Sequence, residues 1–314
     1  MSLDREQLRE HCETILWSRR IKNNIVVLCE GDVQSFAGRR SPQSYRRMEQ
    51  RPDASFYRAC IPKWWVNFQQ PQFFNCGNRN SVLNSYFKLL ELHREDSSKS
   101  YLNPEKLFAI ADLDIQSQPT PNYDGFLDTE AIYSHLYREG QVNERNAANH
   151  KIWVTGLIHK EAYFIIPELK PIFEESEQAP IYQDSPVLLE KIYRDMAQSI
   201  CEDKDLESRF KVVSQRIDYC LGLDCDSASK LQESWKNQFD TAEEQQCINL
   251  IMALLTVRKA KPYWEQIEPS RKWNHSHKVF REQLSLKIAE FYSQQERDAK
   301  YHLSVFFKTL FKAR

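Results

Sequence analysis

Glycine is scarce in this chain: seven in 314 residues, at positions 31, 38, 77, 125, 140, 156 and 222. A Walker P-loop and a Gly-x-Gly-x-x-Gly dinucleotide fingerprint both need clustered glycines to bring backbone amides up to phosphate, so both are excluded. No apolar run approaches the roughly 18 residues of a membrane span. The segment from Met1 to Arg20 is charged and has no signal-peptide core, which predicts a cytoplasmic protein with no membrane partner. Neither sign of charge dominates, with 43 Lys+Arg against 44 Asp+Glu. The eight cysteines form no Cys-x-x-Cys pair. Cys29 and Cys76 fall in apolar, strand-like runs as small hydrophobes, and Cys220 and Cys225 lack the second pair that would complete a zinc set. The thiols therefore read as structural. What is present, 41% hydrophobic and 28% charged residues, is the composition of a soluble globular chain, long enough for about two domains.

The first 185 residues alternate. An amphipathic stretch, about Leu3 to Arg20, precedes the continuous apolar run Ile25–Cys29, which stops at Glu30-Gly31-Asp32. Unalternating, β-branched runs of this kind suit strands buried on both faces. Similar runs cover Phe73–Cys76, Leu107–Ala111 and Ile152–Ile158, with helical patterns around Val82–Leu90 and Ile132–Tyr137 between them. Strands alternating with helices predict βαβ units and a parallel sheet. From about Pro186 the pattern turns helical: Val187–Ile200, Leu206–Leu221, Ala228–Phe239, Glu243–Val257 and Phe280–Phe311, with Asp226 and Asp240 at expected N-caps. The expected organisation is an α/β domain over 1–185 with a basic insertion at about 38–66, then a helical domain over 186–314. Within the insertion, residues 38–63 carry Arg39, Arg40, Arg46, Arg47, Arg51, Arg58 and Lys63 against Glu49 and Asp53. It ends in the aromatic pair Trp64-Trp65, suited either to a core or to stacking on a base.

Two acidic clusters stand apart from a background in which acid-x-acid spacing arises about six times by composition alone. Asp128/Glu130, Glu175/Glu177, Asp203/Asp205 and Asp224/Asp226 lie in polar or helix-capping surroundings and read as solvated surface. Glu30, by contrast, ends one apolar run, and Asp112-Leu113-Asp114 ends another. Ligands of open α/β sheets bind beyond the carboxyl ends of the strands. Alternate residues of extended chain point the same way, so Asp112 and Asp114 can face one ion. Three gathered carboxylates repel and call for a cation; Mg²⁺ is held by a few carboxylates, with water and substrate phosphate completing its shell. Caps of strand ends and of the following helices are the plainer alternative.

Apolar strand, Glu-Gly, then an apolar strand ending Asp-x-Asp resembles the TOPRIM domain, a parallel-sheet, Rossmann-like α/β fold of topoisomerases, primases, small recombination proteins and OLD-like nucleases. The likeness spans roughly Asn23 to Pro167 and is nearest the uncharacterised OLD-like branch, whose domain is followed by a helical region. Phe73-Phe74-Asn75-Cys76-Gly77 leading into Ser81-Val82-Leu83 is similar to that branch's second strand and helix, and Ile158-His159-Lys160-Glu161 to its later strand end, where another acid is common. The resemblance implies Mg²⁺ (or Mn²⁺) held by Asp112 and Asp114, with Glu30 as ligand or acid/base. One departure is Gln34, where relatives often carry an acid.

Two readings follow. In the first, the chain is a Mg²⁺-dependent nuclease or related phosphodiester-processing protein: Glu30, Asp112, Asp114 and Lys160 are the catalytic candidates, Glu30, Asp112, Asp114 and Glu161 the metal candidates. Nucleic acid, DNA foremost, is then the partner, gripped by Arg39, Arg40, Arg46 and Arg47 through its phosphates. In the second, a non-catalytic TOPRIM-like module binds nucleic acid or protein. His275 and His277 lack a carboxylate partner, and the ten Lys/Arg of 270–314 read as a solvated helix face.

Overall fold

The computed structural model describes residues 3–33, 52–65, 67–123, 125–174, 179–295 and 298–314. The main sheet has four parallel strands, β1 (Val26–Cys29), β2 (Gln72–Asn75), β3 (Leu107–Ala111) and β4 (Ile152–Val154), in the order β2-β1-β3-β4. All four are buried, apart from partial exposure of Gln72, because helices cover both faces; that is why their sequences are continuous rather than alternating. The expected α/β class with a parallel sheet is therefore what the chain forms. The fourth expected strand is shorter than its apolar run: Thr155–Ile158 leave the sheet as a buried turn.

Among the described residues the longer helices of this unit are α1 (Arg5–Leu16), α2 (Pro52–Ala59), α3 (Arg79–Glu95) and α4 (Thr129–Leu136). Asp4 opens α1 with a capping box to Gln7, and Asn78 and Asp128 cap α3 and α4 through the amides of Ser81 and Ala131. The β1→β2 and β2→β3 connections run in opposite directions, so right-handed crossovers place α2 on one face and α3 and α4 on the other. Register puts Val27, Phe73 and Phe108 in one row and Ile110 beside Trp153. On that face Tyr57 of α2 stacks on Phe73 at 6.0 Å. The opposite face takes α3, with α1 packed outside it.

Beyond Pro186 the chain is mostly helical: α5 (Leu189–Gln198), α6 (Lys204–Ser214), α7 (Ala228–Phe239), α8 (Glu244–Val257), α9 (His277–Gln294) and α10 (His302–Lys312). The run expected as one helix over Phe280–Phe311 is two. Helix α9 lies along α2, while α10 turns back to set Phe306 on Trp153 and Phe307 on Phe73. The expected N-caps also shift by a residue or more. Ser227, not Asp226, caps α7, and Asp240 closes that helix instead of opening the next. Trp65 is fully buried, stacked on Trp64 and edge-on to Phe311, so it serves the core.

Of the acid pairs read as solvated surface or caps, Asp128, Glu130 and Asp203 make structural contacts, Asp224 is half-buried and Asp226 exposed, and Glu175 and Glu177 lie outside the described residues. Asp128 caps α4, Asp203 caps α6 and pairs with Arg258, and Glu130 forms a two-pronged bond with Arg216, whose side chain is 1% exposed. No helix among the described residues is long and apolar enough to cross a membrane.

Candidate functional site

The strand order reverses direction between β1 and β3, and that switch point is where an open α/β sheet leaves a crevice at its carboxyl edge. Glu30 follows β1 and Asp112 follows β3, so the two carboxylates flank the crevice. Glu30 Oε1 accepts the backbone amide of Asp112 at 2.7 Å. Asp112 Oδ1 in turn accepts the amide of Lys160 at 3.0 Å. The residues that sequence alone placed at three strand ends thus meet in one cleft of about 370 Å³, which Glu30, Asp112, Asp114, Lys160 and Glu161 all line.

Backbone geometry fixes the far wall. The Leu113 amide donates to Thr155 Oγ1 at 2.9 Å, and the Asp114 amide to the Ile158 carbonyl at 2.9 Å. The Ile158 amide donates to the carbonyl of Leu255 in α8, so the helical region anchors the turn carrying His159 and Lys160. Asp114 adopts a left-handed φ of 52°, a conformation that aspartate tolerates better than most residues. Extended chain ends at Ala111, so the expectation that Asp112 and Asp114 aim at one ion by simple alternation does not describe this backbone. Asp114 instead accepts the Ile115 amide at 2.6 Å and lies 3.7 Å from both Arg79 Nη2 and His159 Nε2.

The near wall depends on two glycines. Gly31 and Gly77 exchange backbone hydrogen bonds of 2.9 and 2.8 Å, with φ of 143° and 87°, just past β1 and β2. A Cβ on Gly31 would lie 2.4 Å from Asn75 Nδ2 and 2.5 Å from Asp53 Oδ2. The bare backbone lets α2 carry Asp53 into the cleft, where it pairs with Lys160 Nζ. Asn75 holds that arrangement by accepting the Ala54 amide at 3.0 Å.

Charge is unevenly compensated. Burial pushes the Glu30 carboxyl above its ordinary range, and the Asp112 amide offsets this only in part. Asp112 rises well above the carboxylate range, through burial first and then the neighbouring charges of Glu30 and Glu161. Asp114 goes the other way: burial opposes its charge, but His159, the Ile115 amide and Arg79 outweigh that and hold it below its usual range. Burial lowers Lys160 as well.

Asp53, Arg79, His159 and Lys261 also line the cleft. None is legible as a site residue from sequence; Asp53 and Arg79 sit on helices with nothing local to mark them. Among the described residues no group of three or more His, Cys, Asp or Glu side chains converges to hold a metal ion. Mg²⁺, however, is often held by only one or two carboxylates, with water and phosphate completing its shell. Glu30 and Asp112 are all-oxygen donors with charge to neutralise, and they fit that pattern. Gln34, Arg39, Arg40, Arg46 and Arg47 lie outside the described residues. No family model, no curated protein and no solved structure matches the chain.

Proposed function

We propose that the cleft is the site of a Mg²⁺- or Mn²⁺-dependent phosphodiester hydrolase acting on nucleic acid, a TOPRIM-like nuclease. The observation that carries this reading is the abutting Glu30 and Asp112 at the switch point, two half-buried carboxylates with raised pKa and neutral hydrogen-bond donors. A divalent cation held there supplies Lewis-acid polarisation of a phosphoryl oxygen and a lower pKa for bound water. The chain's own residues do the rest. Lys160, held by Asp53, would bring positive charge toward a substrate phosphate, Glu161 borders the same space, and Glu30 would accept a proton from an attacking water. Arg39, Arg40, Arg46 and Arg47 supply backbone phosphate contacts in this reading.

The test is incubation of the full chain with single- and double-stranded DNA plus Mn²⁺. Cleavage should fall by at least about 100-fold in Glu30→Gln and Asp112→Asn, the scale of removing a charge-stabilising group. Undiminished cleavage in EDTA rejects the metal mechanism. Replacing the four arginines by Ala should flatten the log–log salt dependence of DNA binding by about 0.7–0.9 per lost contact.

The absence of a three-ligand group among the described residues favours a second reading, a non-catalytic TOPRIM-like nucleic-acid- or protein-binding module. It predicts DNA or protein binding that is indifferent to Mn²⁺, with no cleavage under any condition.

A further inference from the structure

Resting on the reading of the cleft as a cation site, we propose that Arg79 is a built-in cation that fills the Asp114 side and limits the site to a single divalent ion, on the Glu30–Asp112 side. Arg79 is the first residue of α3, directly after the N-cap Asn78. Its side chain, 9% exposed, runs beneath the Asp112–Asp114 segment. Nη1 donates to the Leu113 carbonyl at 2.7 Å, and Nη2 stands 3.7 Å from Asp114 Oδ2. A guanidinium does not give up its proton in proteins, so this charge is permanent.

The two sides of the cleft are therefore unlike. Asp114 offers one oxygen to Arg79 and the other to the Ile115 amide, with His159 beside it. A dication placed on Asp114 would sit against a fixed positive charge in a half-buried cleft, where Coulomb repulsion is poorly screened. Glu30 and Asp112 accept only backbone amides, and neither has an ion-pair partner among the described residues. A guanidinium between the helix and the Asp-x-Asp segment thus does for Asp114 what a second metal would otherwise do. The ligand class is one hard divalent cation with an incomplete protein shell.

Mn²⁺ titration of the full chain, followed by the electron paramagnetic resonance signal of the free ion, tests this without reference to activity. One ion per chain is expected in the wild type. Arg79→Met, which removes the charge and keeps the length, should raise this to two, the second on Asp114 and His159. Asp114→Asn should leave the single site within about twofold of its wild-type affinity, whereas Asp112→Asn should weaken it at least tenfold. Two ions in the wild type, one in a folded Arg79→Met, or a tenfold loss in Asp114→Asn would overturn the role of Arg79 while leaving the cation reading intact. Should Arg79→Met not fold, Asp114→Asn alone decides. No ion in the wild type overturns the cation reading and the inference together.

Discussion

Asp112 accepts one amide, from Lys160, and is crowded by the carboxylates of Glu30 and Glu161. Its folded pKa stands above the ordinary value of about 3.9, so the folded chain holds a proton that the unfolded chain has already lost. Unfolding then releases a proton, and stability falls as pH rises from about 4 toward the raised pKa. Below that window both states are protonated and nothing is lost. Asp112→Asn keeps an oxygen for the Lys160 amide and has no proton to lose. In metal-free buffer it should match the wild type near pH 4 and melt at a higher temperature than the wild type at pH 7. Mn²⁺ at about 100 times its wild-type dissociation constant should stabilise the wild type by about 2.7 kcal/mol and the variant, its site weakened at least tenfold, by no more than about 1.4 kcal/mol. A melting-temperature difference independent of pH would remove Asp112 as the titrating group. Glu30 and Asp112 were legible in sequence because each directly ends an apolar strand run. Asp53 and Arg79 were not, since only the packing of α2 and α3 against the sheet brings them in.

At the scale of elements, the strands were the easiest to read, for burial on both faces writes itself as an unbroken apolar run; Leu107–Ala111 agrees residue for residue. Helix ends and helix breaks were harder. No proline or glycine separates α9 from α10, yet one helix ends at Gln294 and the chain turns back into a second at His302. The gain that drives the reversal is long-range: Phe306, fully buried, meets Trp153 of β4 at 5.1 Å. Phe306→Ala should lower the unfolding free energy by about 3–5 kcal/mol, measurable by urea denaturation. A cost below 1 kcal/mol would mean that α10 is dispensable to the sheet.

For the molecule as a whole, the hydrophobic core is one continuous cluster running from α1 to α10, and the helical region reaches the α/β unit through polar ties as well. One of these ties joins Glu130 at the start of α4 to the buried Arg216, at 3.0 and 2.5 Å. Removing one partner of such a pair leaves a buried charge alone, so Glu130→Ala should cost about 3–5 kcal/mol. Calorimetry should show one transition moving as a unit; a new low-temperature transition confined to the helices would show that the two regions unfold separately. Composition gave no hint of this tie, because an acid two residues from another acid looks the same in sequence whether it faces water or a buried guanidinium.

The reciprocal hydrogen bonds between Gly31 and Gly77 also bear on kinship. Each glycine holds a φ in the region that suits glycine best, and each supplies both a donor and an acceptor to the other. A side chain at position 31 would displace Asp53 and Asn75 together. The two positions should consequently be inherited as a unit: relatives of this chain should keep both glycines or lose both, along with the acid at 53. A pattern joining Glu-Gly to a distant Cys-Gly-Asn would then pick out kin that Asp-x-Asp, common by chance, cannot distinguish.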